Sequence, residues 1–462
     1  MENIMKNINQ RKEMIISICA LAWPSIVEQA LQTTVQYVSS AMVGRLGAQA
    51  SAAVGLTTTV NWLINSPSFA MGIGVLSYIS LCIGAKKFEK AKIAAIQSII
   101  ITFILGIIMG IATLSITPFL PKWLGASSEI QRDASLYFGI ICFPMLFRVA
   151  TIVFGAVLRS TGDMKTPMKV NLIMNITNII LNFLLIYGTE TIDIGNFKLT
   201  IYGAGLGVAG SATAAAISYS ISGCLMFFAL YRNKLVSPKG KKIKLNIPIM
   251  KRCISVGFPI TIERVVTCLG QVVFSSLVTR LGTLAFAAHS IALTAEQAFY
   301  IPGYGMQASA STLAGNALGE RNEKKLHQMS VTILGIAVVV MTITGTILFI
   351  FPNVMMSIFT KNPVVVKSGS SALRIVAVSE PIFGALIILE GIFNGVGDTK
   401  TPVFVSILSM WGVRIVSTFI CISKFKLGLN AVWICMVADN IFRFTILFIR
   451  FLRGTWKRKL SL

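Results

Sequence analysis

Charge is scarce in this chain of 462 residues. Only 13% of its residues are Asp, Glu, Lys or Arg, against 55% that are hydrophobic. A water-soluble domain of this length carries about twice that charged share. Acids are scarcer still, 17 against 41 Lys and Arg. There are two histidines, His289 and His327, too few for a metal cluster. Neither has a Ser, Cys or paired-carboxylate partner recognisable by motif, so an integral membrane enzyme is disfavoured. The eight cysteines are scattered, mostly within apolar segments and without a CxxC, and read as small buried hydrophobes. No GxxxxGK[ST] occurs and no loop has room for an ATPase domain, which argues against a nucleotide-driven pump. No cofactor is expected. The first apolar run is too long for a cleavable leader and is read as a retained helix.

What fills the chain instead is a near-continuous series of apolar runs. Crossing about 30 Å of hydrocarbon takes roughly 20 helical residues. Twelve segments qualify: 14–43, 50–80, 93–117, 132–158, 167–188, 204–231, 253–279, 285–316, 328–352, 364–394, 402–423 and 427–449. Barrel strands would be about half as long and would alternate. The expected fold is therefore an all-α integral membrane protein of twelve transmembrane helices.

The net charge of +24 would suggest nucleic acid in a soluble protein, but its distribution excludes that partner. The bases gather in the termini and the even-numbered connections: Lys6, Arg11 and Lys12; Lys86, Lys87, Lys90 and Lys92; Arg159, Lys165 and Lys169; Arg232 to Arg252; Arg321, Lys324 and Lys325; Lys400; and Arg450 to Lys459. Basic connections stay cytoplasmic, which puts both termini on the cytoplasmic side of the inner membrane. The stretch RNKLVSPKGKKIKLNIPIMKR (232–252) has no acid and reads as a cytoplasmic linker against anionic lipid headgroups.

The chain also repeats itself. RSTGDMKTP (159–167) returns as NGVGDTKTP (394–402), with Gly162 and Gly397 separated by 235 residues. At the same offset Pro24 meets Pro259, Glu28 meets Glu263, Arg45 meets Arg280, Gly47 meets Gly282, Pro67 meets Pro302 and Gly84 meets Gly319. Each half is then a six-helix unit: an N-terminal lobe (1–231), the linker (232–252) and a C-terminal lobe (253–462). Two parallel repeats of this kind place substrate near the midplane between them, and rocking of one against the other alternates access. In the GD-x-KTP turns, glycine allows the reversal, Asp163 and Asp398 accept backbone amides, and Pro167 and Pro402 suit a first helical turn.

These stretches resemble the multidrug and toxic compound extrusion (MATE) family across essentially the whole chain. The matching pieces include WPSIVEQALQT (23–33), AMVGRLGAQASAAVG (41–55), LRSTGDMKTP (158–167), NIILNFLLIYG (178–188), AAHSIALTAEQAFYIPGYG (287–305), FNGVGDTKTP (393–402) and VADNIFRF (437–444). The resemblance implies twelve helices in two lobes around a central cavity, and export of bulky, often cationic amphiphiles in exchange for inward H⁺ or Na⁺. Ser39 stands where the family usually has an aspartate in the first helix. Asn182 stands where some relatives have one in helix 5, and Phe383 near an acidic position of one sodium-coupled branch.

An ionised carboxylate inside a span is costly, and unless paired or wetted it takes up a proton, which suits it to exchange protons between compartments. The acids at membrane depth are Glu28, Glu263, Glu296, Glu380, Glu390 and Asp439. The first five are the candidates for ion coupling; each has a bland alternative as a packing carboxylate bonded to a neighbour such as Arg264, Arg374 or Arg414. Asp439 and Arg443 have the spacing of an intrahelical ion pair and are read as structural. Arg148 has no acid within a turn of its own helix. The substrate wall is expected from Gln32, Gln36, Tyr37, Asn61, Asn175, Asn178, Asn182, Gln271, Gln297, Phe299 and Tyr300, since aromatic faces attract organic cations. The resulting expectation is a monomeric, ion-coupled exporter of small organic molecules, embedded in membrane lipid. The alternative is a lipid-linked precursor flippase of the same broad superfamily, for which basic residues at membrane depth would be wanted.

Overall fold

A computed structural model describes residues 2–194, 197–454 and 456. The bases Lys457, Arg458 and Lys459 lie outside the described residues. Helices account for nearly all of it. In a bilayer every backbone N–H and C=O must be satisfied within the protein, which leaves long apolar runs no option but the helix.

In chain order the helices are α1 (Glu2–Gly44), α2 (Ala48–Gly84), α3 (Phe88–Ile116), the short α4 (Leu120–Trp123), α5 (Ser128–Cys142), α6 (Met145–Ser160) and α7 (Lys165–Ile186). Strands β1 (Gly188–Ile194) and β2 (Phe197–Ala204) follow. Then come α8 (Gly207–Arg232), α9 (Ile247–Thr279), α10 (Thr283–Gly319), α11 (Glu323–Ile350), α12 (Pro352–Phe359) and α13 (Pro363–Gly395). Helix α14 (Lys400–Leu408) runs through a π-helical turn (Ser409–Ile415) into α15 (Val416–Ser423), and α16 (Leu429–Arg453) closes the series.

Ten of these stretches are long and apolar enough to cross a membrane, counting α14 to α15 as one. Helices α5 and α6, bent by 50° across their junction, make an eleventh when taken together. The bend falls at Pro144, which has no N–H to continue the ladder. The remaining sequence candidate, 285–316, lies in α10. With 37 residues it is about 55 Å long at 1.5 Å per residue, and His289, Glu296, Gln297 and Asn316 dilute its apolar character. The protein is an all-α integral membrane protein, as its hydropathy pattern indicates.

One connection differs from a plain loop. After α7 the chain forms an antiparallel pair, with Gly188 opposite Ala204 and Ile194 opposite Phe197. The β-branched residues of TETIDI and FKLTIYG favour extended backbone, a signal too short to show against the neighbouring spans.

The chain packs as two compact units. One contains Met1–Ala30, Leu76–Lys87 and Arg252–Leu462; the other contains Leu31–Val75 and Phe88–Lys251. In the first, the start of α1 is drawn onto α10: Ser309 donates to the Leu21 carbonyl at 3.1 Å, and Ile18 and Ala22 join a core with Met306, Leu389, Phe393 and Phe451. The end of α2 is held in the same unit by glycine. A Cβ on Gly84 would stand 1.9 Å from the Asn316 carbonyl, and one on Gly319 2.2 Å from the Leu81 carbonyl. Asn316 and Gly319 are the repeat mates of Leu81 and Gly84, so the contact is reciprocal, as a two-fold relation between repeats requires.

The turns repeat as well. Lys86 and Arg321, 235 apart, both end their helices with left-handed backbone, φ of 57° and 56°. Gly162 and Gly397 in the GD-x-KTP turns have φ of 84° and 77°, a region closed to most residues. In the second unit, the basic linker is pinned to α3. Buried Gln97 donates to the Lys244 carbonyl and accepts from the Asn246 amide, both at 2.9 Å, while Lys241 reaches Glu89 at 2.7 Å.

Candidate functional site

The first unit gathers the ionisable groups. All five acids singled out for coupling (Glu28, Glu263, Glu296, Glu380 and Glu390) fall within it, along with Asp439. Glu28 is buried on α1, one helical turn past Pro24. Glu263 is half-buried on α9.

Glu380 is the most enclosed. It is fully buried, and neither carboxylate oxygen has a hydrogen-bond partner among the described residues. Gly345 of α11 opens the space beside it, since a Cβ there would approach the Glu380 Cβ to 2.9 Å. An ionised carboxylate here would have no counter-charge in contact, a cost of several kcal/mol. Within electrostatic reach is Glu296 of α10, also buried. Glu296 in turn lies within reach of Arg414.

Asp439 organises the next step. Arg414 approaches it at 2.6 Å and Arg443 at 3.3 Å, and the Ser409 hydroxyl donates to its other oxygen. Ser409 and Arg414 both lie in the π-helical turn, Ser409–Ile415. The extra residue in that turn alters which side chains share a face, bringing both onto α16. Arg414 therefore neutralises Asp439 rather than Glu380 or Glu390, and Arg374 is exposed. Arg443 also donates to Asn440 at 2.9 Å and stands 3.9 Å from Glu390. Glu390 has Glu263 and Arg264 as further charged neighbours. Ten residues apart on α13, Glu380 and Glu390 thus occupy different settings, the first enclosed and without a partner among the described residues, the second beside a guanidinium.

His289 was set aside in the sequence for want of partners. It is buried between Phe274 and Trp433, ring centroids at 5.6 and 5.8 Å, with both nitrogens unpartnered among the described residues. Arg414 lies above the same Phe274 ring at 5.7 Å. The signal that could have linked these groups was the lone arginine in an apolar run, SMWGVRIVS. Their meeting depends on the π-helical turn, which no residue in that run announces.

Of the first-unit candidates for the substrate wall, Gln271 and Gln297 are exposed and Phe299 packs into the core around Phe274 and Trp433. Tyr300 stacks edge-on with Tyr304 at 5.5 Å and with Phe383 at 5.7 Å.

The second unit is different in kind. Ser39 donates to Asn178 Oδ1 at 3.1 Å, and Asn182 Nδ2 donates to Ser39 at 3.1 Å and to Asn178 at 2.9 Å. The three make one neutral cluster. Asn175 is buried with both side-chain atoms unpartnered among the described residues. Asn61 accepts from Arg148 at 3.4 Å. Gln32 and Tyr37 are half-buried and Gln36 is exposed.

Comparison with known proteins follows the same line. The family profile described as MatE matches residues 24–184 and 259–420, and so covers both sequence repeats. The chain is 27% identical over 451 residues to the probable multidrug resistance protein NorM of Thermotoga maritima, covering 97% of this chain and 94% of that one. It is 23% identical to the uncharacterised transporter YisQ of Bacillus subtilis, over 96% of this chain and 95% of that one. Among solved structures it is similar to a transporter of the MOP superfamily from Pyrococcus furiosus. That likeness has a TM-score of 0.88 at 24% identity, over 96% and 97% of the two chains, and it concerns the fold.

Proposed function

Since the chain belongs to the MatE family of multidrug and toxic compound extrusion transporters, we propose that it is a secondary active antiporter. It exports bulky, often cationic amphiphilic drugs or metabolites across the cytoplasmic membrane in exchange for H⁺ or Na⁺. It works as a monomer with both termini cytoplasmic, by rocking of its two six-helix lobes. Relatives named as multidrug resistance proteins support the cargo class.

The observation that carries the coupling is Glu380, a fully buried carboxyl without a partner among the described residues and within electrostatic reach of buried Glu296. Such a pair can be occupied by a proton or a small cation and emptied again when access changes. Glu390 and Glu263 form a second acidic group beside Arg443, and Glu28 completes the set. The amide and aromatic candidates Gln32, Gln36, Tyr37, Asn61, Asn175, Asn178, Asn182, Gln271, Gln297, Phe299 and Tyr300 contact cargo in this scheme.

Cells or vesicles bearing the protein should clear ethidium faster than controls, and dissipating the ion gradient should remove the difference. Efflux that continues unchanged with no gradient would overturn antiport. Comparing H⁺ and Na⁺ gradients identifies the ion.

A further inference from the structure

Of the two arginines buried among the described residues, Arg148 and Arg414, only Arg414 meets a carboxylate; the mechanism above leaves Arg148 unused. It sits on α6 at 3% exposure. Its surroundings are neutral: Nη1 donates to Asn61 Oδ1 at 3.4 Å and to the Ile141 carbonyl at 3.2 Å. That carbonyl lies at the α5–α6 bend, where the helix ladder is broken. The Tyr219 ring faces the guanidinium at 5.0 Å, Tyr137 and the Cys142 thiol are close by, and Nε is enclosed with no partner among the described residues.

No carboxylate pairs with Arg148 among the described residues, and the sequence of its unit offers none at membrane depth. The acids in residues 31–75 and 88–251 are Glu89, Glu129, Asp133, Asp163, Glu190 and Asp193, which lie in the first two turns of a helix or in connections. The contrast with the other unit is sharp, for Arg414 and Arg443 both meet Asp439 there. A guanidinium cannot shed its proton. Enclosed without counter-charge it costs several kcal/mol, and an arriving anion recovers that cost.

We propose that Arg148 receives an anionic group within the second unit: the carboxylate of a zwitterionic or acidic cargo molecule, or a small inorganic anion moving with the cargo. This rests on the exporter reading and narrows its substrate class. At membrane depth the same unit holds no acid to greet a cation, so it greets the anionic end. The neutral Ser39–Asn178–Asn182 cluster belongs to the same logic, since aspartates at Ser39 and Asn182 would add negative charge to the unit that must accept it.

The test compares two probes in proteoliposomes under one imposed gradient: ethidium, a permanent cation with no carboxylate, and norfloxacin, which has an amine and a carboxylate. Each is measured in chloride and in isethionate for wild type, Arg148→Gln and Arg148→Lys. With a cargo carboxylate, Arg148→Gln lowers kcat/KM for norfloxacin at least tenfold, leaves ethidium within twofold, and Arg148→Lys recovers part of the loss. With an inorganic anion, wild type slows on both probes when chloride is replaced, and Arg148→Gln no longer responds. Equal loss on both probes without a chloride response marks a structural arginine and overturns the proposal, as does no change on either.

If wild type exports neither probe, the exporter reading fails by itself. The anion site is then decided on purified protein by thermal unfolding. Norfloxacin or chloride should raise the melting temperature of wild type and not of Arg148→Gln; the absence of any shift in wild type overturns it.

Discussion

At the residue scale the molecule separates two treatments of buried charge. Asp439 is compensated twice, by Arg414 and Arg443, and held further by Ser409. Removing its charge leaves two enclosed guanidinium groups without it, and breaking a buried pair costs about 3–5 kcal/mol. Asp439→Asn should therefore lower the unfolding temperature in detergent more than any single change at a coupling acid. Glu380 is the reverse case, because no described partner depends on its charge. Glu380→Gln preserves shape and volume, so it should leave the unfolding temperature nearly unchanged while abolishing gradient-driven export. A mutant that unfolds early, or one that still exports under a gradient, would show Glu380 to be structural or irrelevant to coupling.

At the element scale the two GD-x-KTP turns show how much local chemistry a repeat preserves. Both use glycine in the left-handed region, and both begin a helix two residues before proline. In the first turn, Asp163 accepts the Thr166 amide at 3.0 Å. In the second, Asp398 is clamped by Arg450 of α16, through Nε at 2.9 Å and Nη2 at 2.6 Å. Asp398 is buried, whereas Asp163 is only half-buried. Asp398→Asn should thus destabilise by about 3–5 kcal/mol, and Asp163→Asn by about 0.5–2 kcal/mol, the range for a lost cap. Paired thermal unfolding curves test this, and equal shifts would refute the asymmetry.

Much of this level could be read from residues alone. Apolar runs mark the spans, repeated prolines mark kinks, and Gly-Asp marks the turns, because each acts through its own local backbone. The list of buried acids was also legible, since a carboxylate in an apolar run stands out. Their pairing was not. Arg414 meets Asp439 only because a π-helical turn changes the register of α14 to α15, and Glu296 nears Glu380 only through the packing of α10 on α13. The assignment of 1–30 and 76–87 to the unit holding the C-terminal half was hidden for the same reason. It depends on α1 packing against α10 for the first stretch and on glycine contacts between repeat mates for the second, and sequence similarity shows the mates without showing that they touch.

At the scale of the whole molecule, the exporter reading requires that two six-helix repeats enter the bilayer the same way up. The reciprocal contact of Gly84 with Asn316 and Gly319 with Leu81 fits that relation. A Cβ at either glycine would have to displace backbone, and overpacking of this kind costs typically 1–3 kcal/mol or more. The orientation itself is testable at Lys165 and Lys400, which sit at matching places in the two turns and are both exposed. In a variant whose eight native cysteines are replaced, Lys165→Cys and Lys400→Cys should react with a membrane-impermeant maleimide from the same side only. The excess of basic residues in the even-numbered connections makes that side the cytoplasm. Six spans separate the two turns in a parallel repeat, an even number that returns the chain to its starting face. An inverted repeat needs an odd number, and would place the two labels on opposite faces.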